Sequence, residues 1–177
     1  QPFLMGVAVS VLMGIILTLP ISSAALSIIL SLSGLAAGAA TVGCSAQMIG
    51  FAVISFKANG WNGLLAQGLG TSMLQVPNIM RKPIIWLPPI VASAILGPLA
   101  TLVFKMQNNP AGGGMGTSGL VGQLMTWQTM SGQMDKVHLF LIILFLHIIL
   151  PAILSLIVAS FMKKRGLITD EDYKLDL

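Results

Sequence analysis

One glycine-rich segment, residues 107–133, holds most of the side chains that could bind a polar ligand. Its amide and hydroxyl groups both donate and accept hydrogen bonds; they belong to Asn108, Asn109, Thr117, Ser118 and Gln123. Glycine at this density prevents a continuous helix and frees backbone N–H and C=O groups. These neutral groups suit an uncharged, polyhydroxylated solute. Two alternatives stay open: a phosphate or carboxylate on a helix that begins near residue 117, or an external loop that binds nothing.

Two polar residues from the apolar stretches are predicted to lie opposite that segment. An ionisable residue inside a membrane span is a functional-site candidate, so His147 either serves a ligand or a proton, or makes a structural hydrogen bond. Gln47 either faces the same cavity or bridges helices. His138 precedes His147 by nine residues, about two and a half helical turns, which puts the two rings on opposite faces. They cannot share a metal ion, and His138 is expected at the membrane boundary.

The sequence lacks the residue patterns of catalysis. It has no paired carboxylates, no nucleophile beside a base and no metal-ligand spacing. The glycine-rich segment has no Gly-Lys-Ser/Thr ending, which argues against a nucleotide site. We therefore predict that the protein is not an enzyme and has no catalytic residue, metal site or cofactor. The net charge of +4 does not indicate nucleic-acid binding, because the basic residues stand at the ends of apolar runs, as membrane anchors do.

The composition indicates an integral membrane protein. Hydrophobic residues make up 55% of the chain and charged residues only 8%, with a mean hydropathy of +0.92; soluble domains carry about 25% charged residues. Residues 1–56, 83–104 and 137–162 contain no Asp, Glu, Lys or Arg. A helix needs about 20 apolar residues to cross a bilayer, and these stretches supply them. We predict an all-α membrane protein in contact with the lipid bilayer.

The apolar stretches predict about four transmembrane helices, at residues 2–19, 35–56, 83–104 and 137–162. The second is rich in Gly and Ala, which predicts a central, lipid-shielded helix. Residues 58–80 mix apolar and polar side chains and favour a re-entrant or interfacial segment. Gly/Ser-rich breaks follow the first and third spans. Because span, break and span ending in basic residues occur in that order twice, a two-unit internal repeat is a further hypothesis.

The basic residues predict the orientation, because cytoplasmic loops carry an excess of Lys and Arg. Residues 163–165, 81–82 and Lys57 then lie inside, and Lys105 and Lys136 outside. The first span would run from inside to outside, opposite to the second. The transmembrane domain, residues 1–165, would end in a cytoplasmic tail, residues 166–177.

Four stretches of the sequence resemble a known family. They are LPISSAA at 19–25, GLAAGAATVGC at 34–44, GLGTSMLQVPN at 68–78 and GMGTSGLVGQ at 114–123. The chain resembles the phosphotransferase-system EIIC-like membrane proteins, among them the perfringolysin O regulatory proteins. The resemblance implies a sugar-permease-like component of a bacterial plasma membrane, acting as a homodimer. Members are roughly twice this length, so the chain would be the C-terminal half and an N-terminal half would be missing.

The residues and the resemblance together predict a permease-like membrane component. It would bind and translocate a small polar solute, such as a sugar, at the break in residues 108–123, with Gln47 and His147 opposite. The alternative is a membrane sensor that binds a similar solute without transporting it. A third reading is a structural subunit without a ligand.

Overall fold

The computed structural model describes all 177 residues and consists of helices, with a single isolated β-bridge between Gly34 and Asn108. The α-helices are α1 (Pro2–Thr18), α2 (Ser23–Ile29), α3 (Gly34–Ile54), α4 (Phe56–Leu65), α5 (Val76–Arg81), α6 (Leu87–Pro98), α7 (Val121–Met130), α8 (Lys136–Leu144) and α9 (Leu150–Lys164). Shorter π- or 3₁₀-helical turns cover Ala66–Gly70, Ser72–Gln75, Pro83–Trp86, Leu99–Val103, Ser118–Leu120, Phe145–Ile149 and Asp170–Tyr173. The predicted all-α class is confirmed.

Three continuous helical stretches are long and apolar enough to cross a membrane: Gly34–Ile54, Pro83–Val103 and Lys136–Lys164. The helix α1 has 17 residues, which is at the lower limit of about 17 for a membrane span. These four elements correspond to the predicted spans. The second and third stretches each contain a π-helical turn, and the one at Leu99–Val103 directly follows Pro98, whose ring interrupts the regular hydrogen-bond ladder.

The helix α3 is the centre of the molecule, and 16 of its 21 residues are buried. It packs against α1, α6 and α9. Glycine makes these contacts close: a Cβ at Gly43 would overlap the carbonyl oxygen of Ser10 in α1, and one at Gly50 would lie 2.6 Å from Ser155 Oγ in α9. Small residues let helix backbones approach in this way inside a membrane bundle, so the predicted central helix is confirmed.

The helices α1 and α3 run in the same direction, so the predicted direction of the first span relative to the second is wrong. Cys44 Sγ lies 3.4 Å from the Met13 carbonyl oxygen, and Thr18 Oγ1 donates to Gln47 Oε1 at 3.1 Å; both helices therefore advance together. The chain returns through α2 and the turn after it. This short return suffices because α1 stops beside Gln47, well before the end of α3.

The basic residues separate to the two ends of the helices. The helix α6 is antiparallel to α3, since Ser93 Oγ donates to the Gly43 carbonyl at 3.2 Å while Met106, beyond the C-terminal end of α6, touches Gly38 near the start of α3. The stretch Lys136–Lys164 is parallel to α3, since Gln123 links His147 to Ser45 of α3 while Ser155, further along, lies against Gly50. Lys105 and Lys136 therefore lie at one end, and residues 57, 81–82 and 163–165 at the other. This is the grouping that the predicted topology requires.

Residues 166–177, which we call the C-terminal strap, are folded against the helices. Tyr173 is fully buried, contacts Phe51 and donates from its hydroxyl to the Ile85 carbonyl at 2.7 Å. Its own carbonyl accepts from Asn59 Nδ2 and Gln75 Nε2, both at 2.9 Å. The strap is thus part of the fold and fixes the segment between α3 and α6.

Candidate functional site

The glycine-rich segment forms a re-entrant hairpin that is buried between α2 and α3. Its first limb runs beside α2, where Ser27 Oγ donates to the Pro110 carbonyl at 2.9 Å and Ser23 Oγ to the Gly114 carbonyl at 2.7 Å. Gly116 then packs on Cys44, which lies halfway along α3, and α7 returns the chain. Irregular backbone at membrane depth requires cover by protein or by a water-filled cavity. The cover by α2 and α3 shows that the segment is not an external loop.

Glycine is required at the turn of this hairpin. Gly116 and Gly119 both have a φ of +54°, in the left-handed region that suits glycine. A Cβ at Gly114 would overlap the carbonyl oxygen of Ser23. Leu120 also has a left-handed φ, of 58°, which costs a non-glycine residue about 1–2 kcal/mol. The hairpin therefore reverses sharply at residues 114–120, which we call the second tip.

A matching tip enters from the opposite end of α3. The chain after α4 turns back at residues 68–74, the first tip, where Ser72 Oγ lies 2.8 Å from Thr18 Oγ1 at the end of α1. The predicted re-entrant segment at 58–80 is thus present. The two tips touch: Thr117 Oγ1 donates to the Gly68 carbonyl at 2.5 Å. Two broken segments, one from each end of the bundle, therefore meet beside the middle of α3.

A cavity of about 160 Å³ lies between the two tips and the break after α1. Ser22, Ser23, Thr71 and Ser118 supply hydroxyl groups to its lining, and apolar side chains such as Met48 complete it. No charged residue lines it. Small-molecule sites usually have volumes of roughly 300–1,000 Å³, so the walls must move apart before a ligand of sugar size can fit. The chemistry on offer is hydrogen bonding to a neutral, polar molecule.

The match to a family model decides which proteins this chain is related to. The model described as phosphotransferase system, EIIC, matches residues 1–175. The chain belongs to the phosphotransferase system EIIC family. No curated protein and no solved structure matches it. The predicted membership is confirmed, and with it a membrane component of sugar transport; EIIC domains are permease components and are not catalytic on their own.

Among the residues predicted from the sequence, Ser118 lines the cavity of this EIIC chain and Thr117 ties its tips together. Asn108 and Asn109 lie at the foot of the hairpin. Asn108 Nδ2 donates to Thr41 Oγ1 at 2.7 Å and to the Gly122 carbonyl at 3.1 Å. Asn109 Oδ1 accepts from a backbone N–H, and its Nδ2 donates to a threonine of α7. These bonds hold the hairpin closed.

Gln123 and His147 form a separate buried group. Gln123 Nε2 lies 3.0 Å from His147 Nδ1 and 3.3 Å from Ser45 Oγ, and Gln123 Oε1 has no partner. His147 lies in the π-helical turn at Phe145–Ile149, and such turns occur often at functional sites. This group links α7, α3 and the last span, and none of its three residues lines the cavity. His138, in contrast, is exposed.

Gln47 belongs to a third group, next to the first tip. Its Oε1 accepts from Thr18 Oγ1 at 3.1 Å and from Trp86 Nε1 at 2.7 Å, while its Nε2 has no partner. Gln47 is fully buried. The seven predicted residues therefore surround the two tips in this EIIC chain, but they do not converge on one point.

The prediction missed the cavity residues Ser22, Ser23 and Thr71, and for Thr71 the sequence did contain a signal. The pattern Gly-x-Gly-Thr-Ser-x-Leu occurs at 68–74 and again at 114–120, which are the two tips. The internal repeat hypothesised from the sequence compared the order of spans and breaks and did not align these two tips. Matching the two Gly-Thr-Ser triplets would have identified Thr71 as the counterpart of Thr117.

Proposed function

We propose that this chain is the membrane core of a permease that binds and translocates a small, uncharged polar solute, with a sugar as the best candidate. The observation that carries the proposal is the hydroxyl-lined cavity between two re-entrant tips that enter from opposite ends of the bundle. In membrane transporters, broken helices near the midplane form the substrate site because their free backbone groups bind solute. Membership of the EIIC family supports a sugar as that solute.

Ser118 is the principal ligand residue in this proposal, and Ser22, Ser23 and Thr71 are the further hydroxyls that reach the same space. Hydroxyls both donate and accept, as do those of a sugar. The absence of charge in the lining favours a neutral solute over a phosphate or carboxylate, because burying an unpaired anion costs far more than burying a neutral hydroxyl.

The other predicted residues support the walls of this site in our proposal. Thr117 sets the distance between the tips, while Asn108 and Asn109 hold the hairpin that carries the second tip. The pair Gln123–His147 connects that hairpin to the last span. Gln47 supports the first tip through Thr18. None of these side chains has a catalytic role in the proposed function.

We further propose that the C-terminal end of the chain faces the cytoplasm of a bacterium and that the protein acts as a homodimer in the plasma membrane. The first point is supported by the six basic residues at 57, 81–82 and 163–165 on one end, against Lys105 and Lys136 on the other. Leu177 lies in the exposed tail. Replacing it with cysteine tests this orientation, because a thiol reagent applied to one side of the membrane labels only a cysteine on that side.

The test of the solute site is the thermal stability of detergent-purified protein against a panel of sugars, polyols, sugar phosphates and carboxylates. A stabilising sugar should lose its effect in Ser118→Phe, which fills the cavity, and keep it in Ser131→Phe, at the far end of α7. Flux of that sugar in proteoliposomes then separates a permease from a sensor, which would bind without transport. Unchanged stabilisation in Ser118→Phe would exclude this placement of the site.

A further inference from the structure

The two tips are inverted copies of one sequence pattern. Five of the seven residues at 68–74 and 114–120 are identical, with Gly68 corresponding to Gly114 and Thr71 to Thr117. The first tip follows α3 and the second follows α6, and these helices run antiparallel. The copies therefore enter the protein from opposite ends, which is the arrangement of inverted repeats in transporters.

The two copies have different backbone conformations. The first has Gly70 in a π-helical turn and Thr71 extended, at φ −159° and ψ 140°. The second has Gly116 in the left-handed region and Thr117 at φ −91° and ψ 6°. Nearly identical residues thus hold two shapes in one molecule, and the left-handed Gly119 of the second shape corresponds to Met73 in the first.

The hydrogen bonds of the two threonines differ in the same way. Thr117 reaches across and donates to the Gly68 carbonyl of the other tip. Thr71 does not reach its counterpart, the Gly114 residue; its Oγ1 accepts locally from the Met73 N–H at 3.0 Å. Thr71 and Gly114 both line the cavity. We call a hydrogen bond from the threonine of one tip to the glycine carbonyl of the other a tie. The cavity occupies the place where the second, symmetry-related tie would form, between Thr71 and Gly114.

We propose that Thr71 is a positioning residue that closes this cavity by forming the second tie. In the second state Thr71 Oγ1 donates to the Gly114 carbonyl, and Thr117 releases Gly68 and caps its own turn. One tie is made at a time, so the gap between the tips opens on alternate sides. The role of this exchange of ties in transport rests on the proposed function. The exchange itself is a property of the protein without solute.

Thiol labelling tests the exchange without any solute. Ala24→Cys places a reporter in the cavity wall, and the native Cys44 is fully buried and serves as the unlabelled background. The probe is a small cationic methanethiosulfonate, applied to the full chain in detergent. Thr117→Val removes the existing tie and should shift the equilibrium about fivefold toward the closed state, which corresponds to about 1 kcal/mol; labelling should therefore slow by up to about fivefold.

The double variant Thr71→Val/Thr117→Val is the decisive measurement. It can form neither tie, so its labelling rate should return to within about twofold of the rate with both threonines. Thr117→Ser keeps the hydroxyl and should label at the unmodified rate. The matched control is Thr126→Val, which removes a buried hydroxyl that bonds within α7 at 2.8 Å. If Thr117→Val does not fold, Thr117→Ala carries the same expectations.

Faster labelling in Thr117→Val would overturn the inference, because simple loosening of the wall would then explain it. A double variant that labels as slowly as Thr117→Val would overturn it too, as would an equal effect of Thr126→Val. Because no solute is present, a failure of sugar binding leaves this result intact. The proposed function and the exchange of ties can therefore fail separately.

Discussion

Replacement of Tyr173 with alanine should detach the C-terminal strap without unfolding the bundle. The side chain is fully buried against Phe51 and hydrogen-bonded to Ile85. Removing a buried aromatic side chain costs about 3–5 kcal/mol. Because the strap packs on the outside of the spans and belongs to none of them, its release is a local opening. We therefore expect Tyr173→Ala to weaken the free energy of docking of the strap by about 4 kcal/mol.

Hydrogen exchange measures that opening directly. The Leu175 N–H donates to Asn59 Oδ1 at 2.8 Å, and the Lys174 N–H to the Glu171 carbonyl at 3.2 Å. Since about 1.4 kcal/mol corresponds to a tenfold change in an equilibrium constant, a loss of about 4 kcal/mol should speed exchange of these amides roughly 10³-fold. Amides in the middle of α3 should keep their protection.

Two control variants calibrate the effect. Tyr173→Phe keeps the ring and loses only the hydroxyl bond, worth about 1 kcal/mol, so exchange should rise about fivefold. Leu177→Ala changes a residue that is 63% exposed and should have no effect. Exchange at the unmodified rate in Tyr173→Ala, or equal loss of protection in α3, would refute the reasoning that the strap docks as a separate unit.

Three further changes test the packing and the charges. Gly43→Ala should lower the free energy of unfolding by about 1–3 kcal/mol because the new methyl group overlaps α1, whereas Gly132→Ala, which meets open space, should change the melting temperature little. Ser31→Gly should raise stability by about 1 kcal/mol, because Ser31 has a left-handed φ of 51°. Burial alone would raise the pKa of Asp172, but the hydrogen bond and charge of Lys82, together with the hydrogen bond from the Thr169 N–H, outweigh it and lower that pKa. The ion pair therefore stabilises the fold above about pH 4 and loses its effect as the pH falls through the lowered pKa; the difference in melting temperature between the unmodified protein and Asp172→Asn should vanish there.

The membrane spans were predictable because length, apolar content and small residues dictate them. α3 must be central because only glycine and alanine permit the backbone contacts that it makes at Gly43 and Gly50. The direction of α1 was not predictable from the same signals. Hydropathy finds apolar stretches but does not show that α2, with seven residues, returns the chain far enough to start a second parallel helix.

The strap was not predictable because, apart from Tyr173, the strap groups that hold it are backbone carbonyls, which carry no residue-type signal. Asn59, Gln75 and Asn78 donate to the backbone carbonyls of residues 173 and 174, and every residue has a carbonyl. The same limitation affected the site. Asn108 and Asn109 have the right groups for a solute, but their partners are other groups of the hairpin. The residue type shows that a side chain can form a hydrogen bond, but its partner is determined by the fold.

Unpaired polar atoms lie beside both tips. Gln47 supports the first tip through Thr18 and has an unpaired Nε2; Gln123 lies three residues after the second tip and has an unpaired Oε1. A buried polar atom without a partner costs about 1–3 kcal/mol, so an arrangement with two of them is not the best that these side chains can reach. A bound molecule, water included, or a shift of the tips would supply the partners. A third unpaired atom, Ser155 Oγ, lies in α9 against Gly50, so two of the three unpaired atoms belong to side chains next to the tips, and the region around the tips is where a rearrangement would recover the most hydrogen bonds.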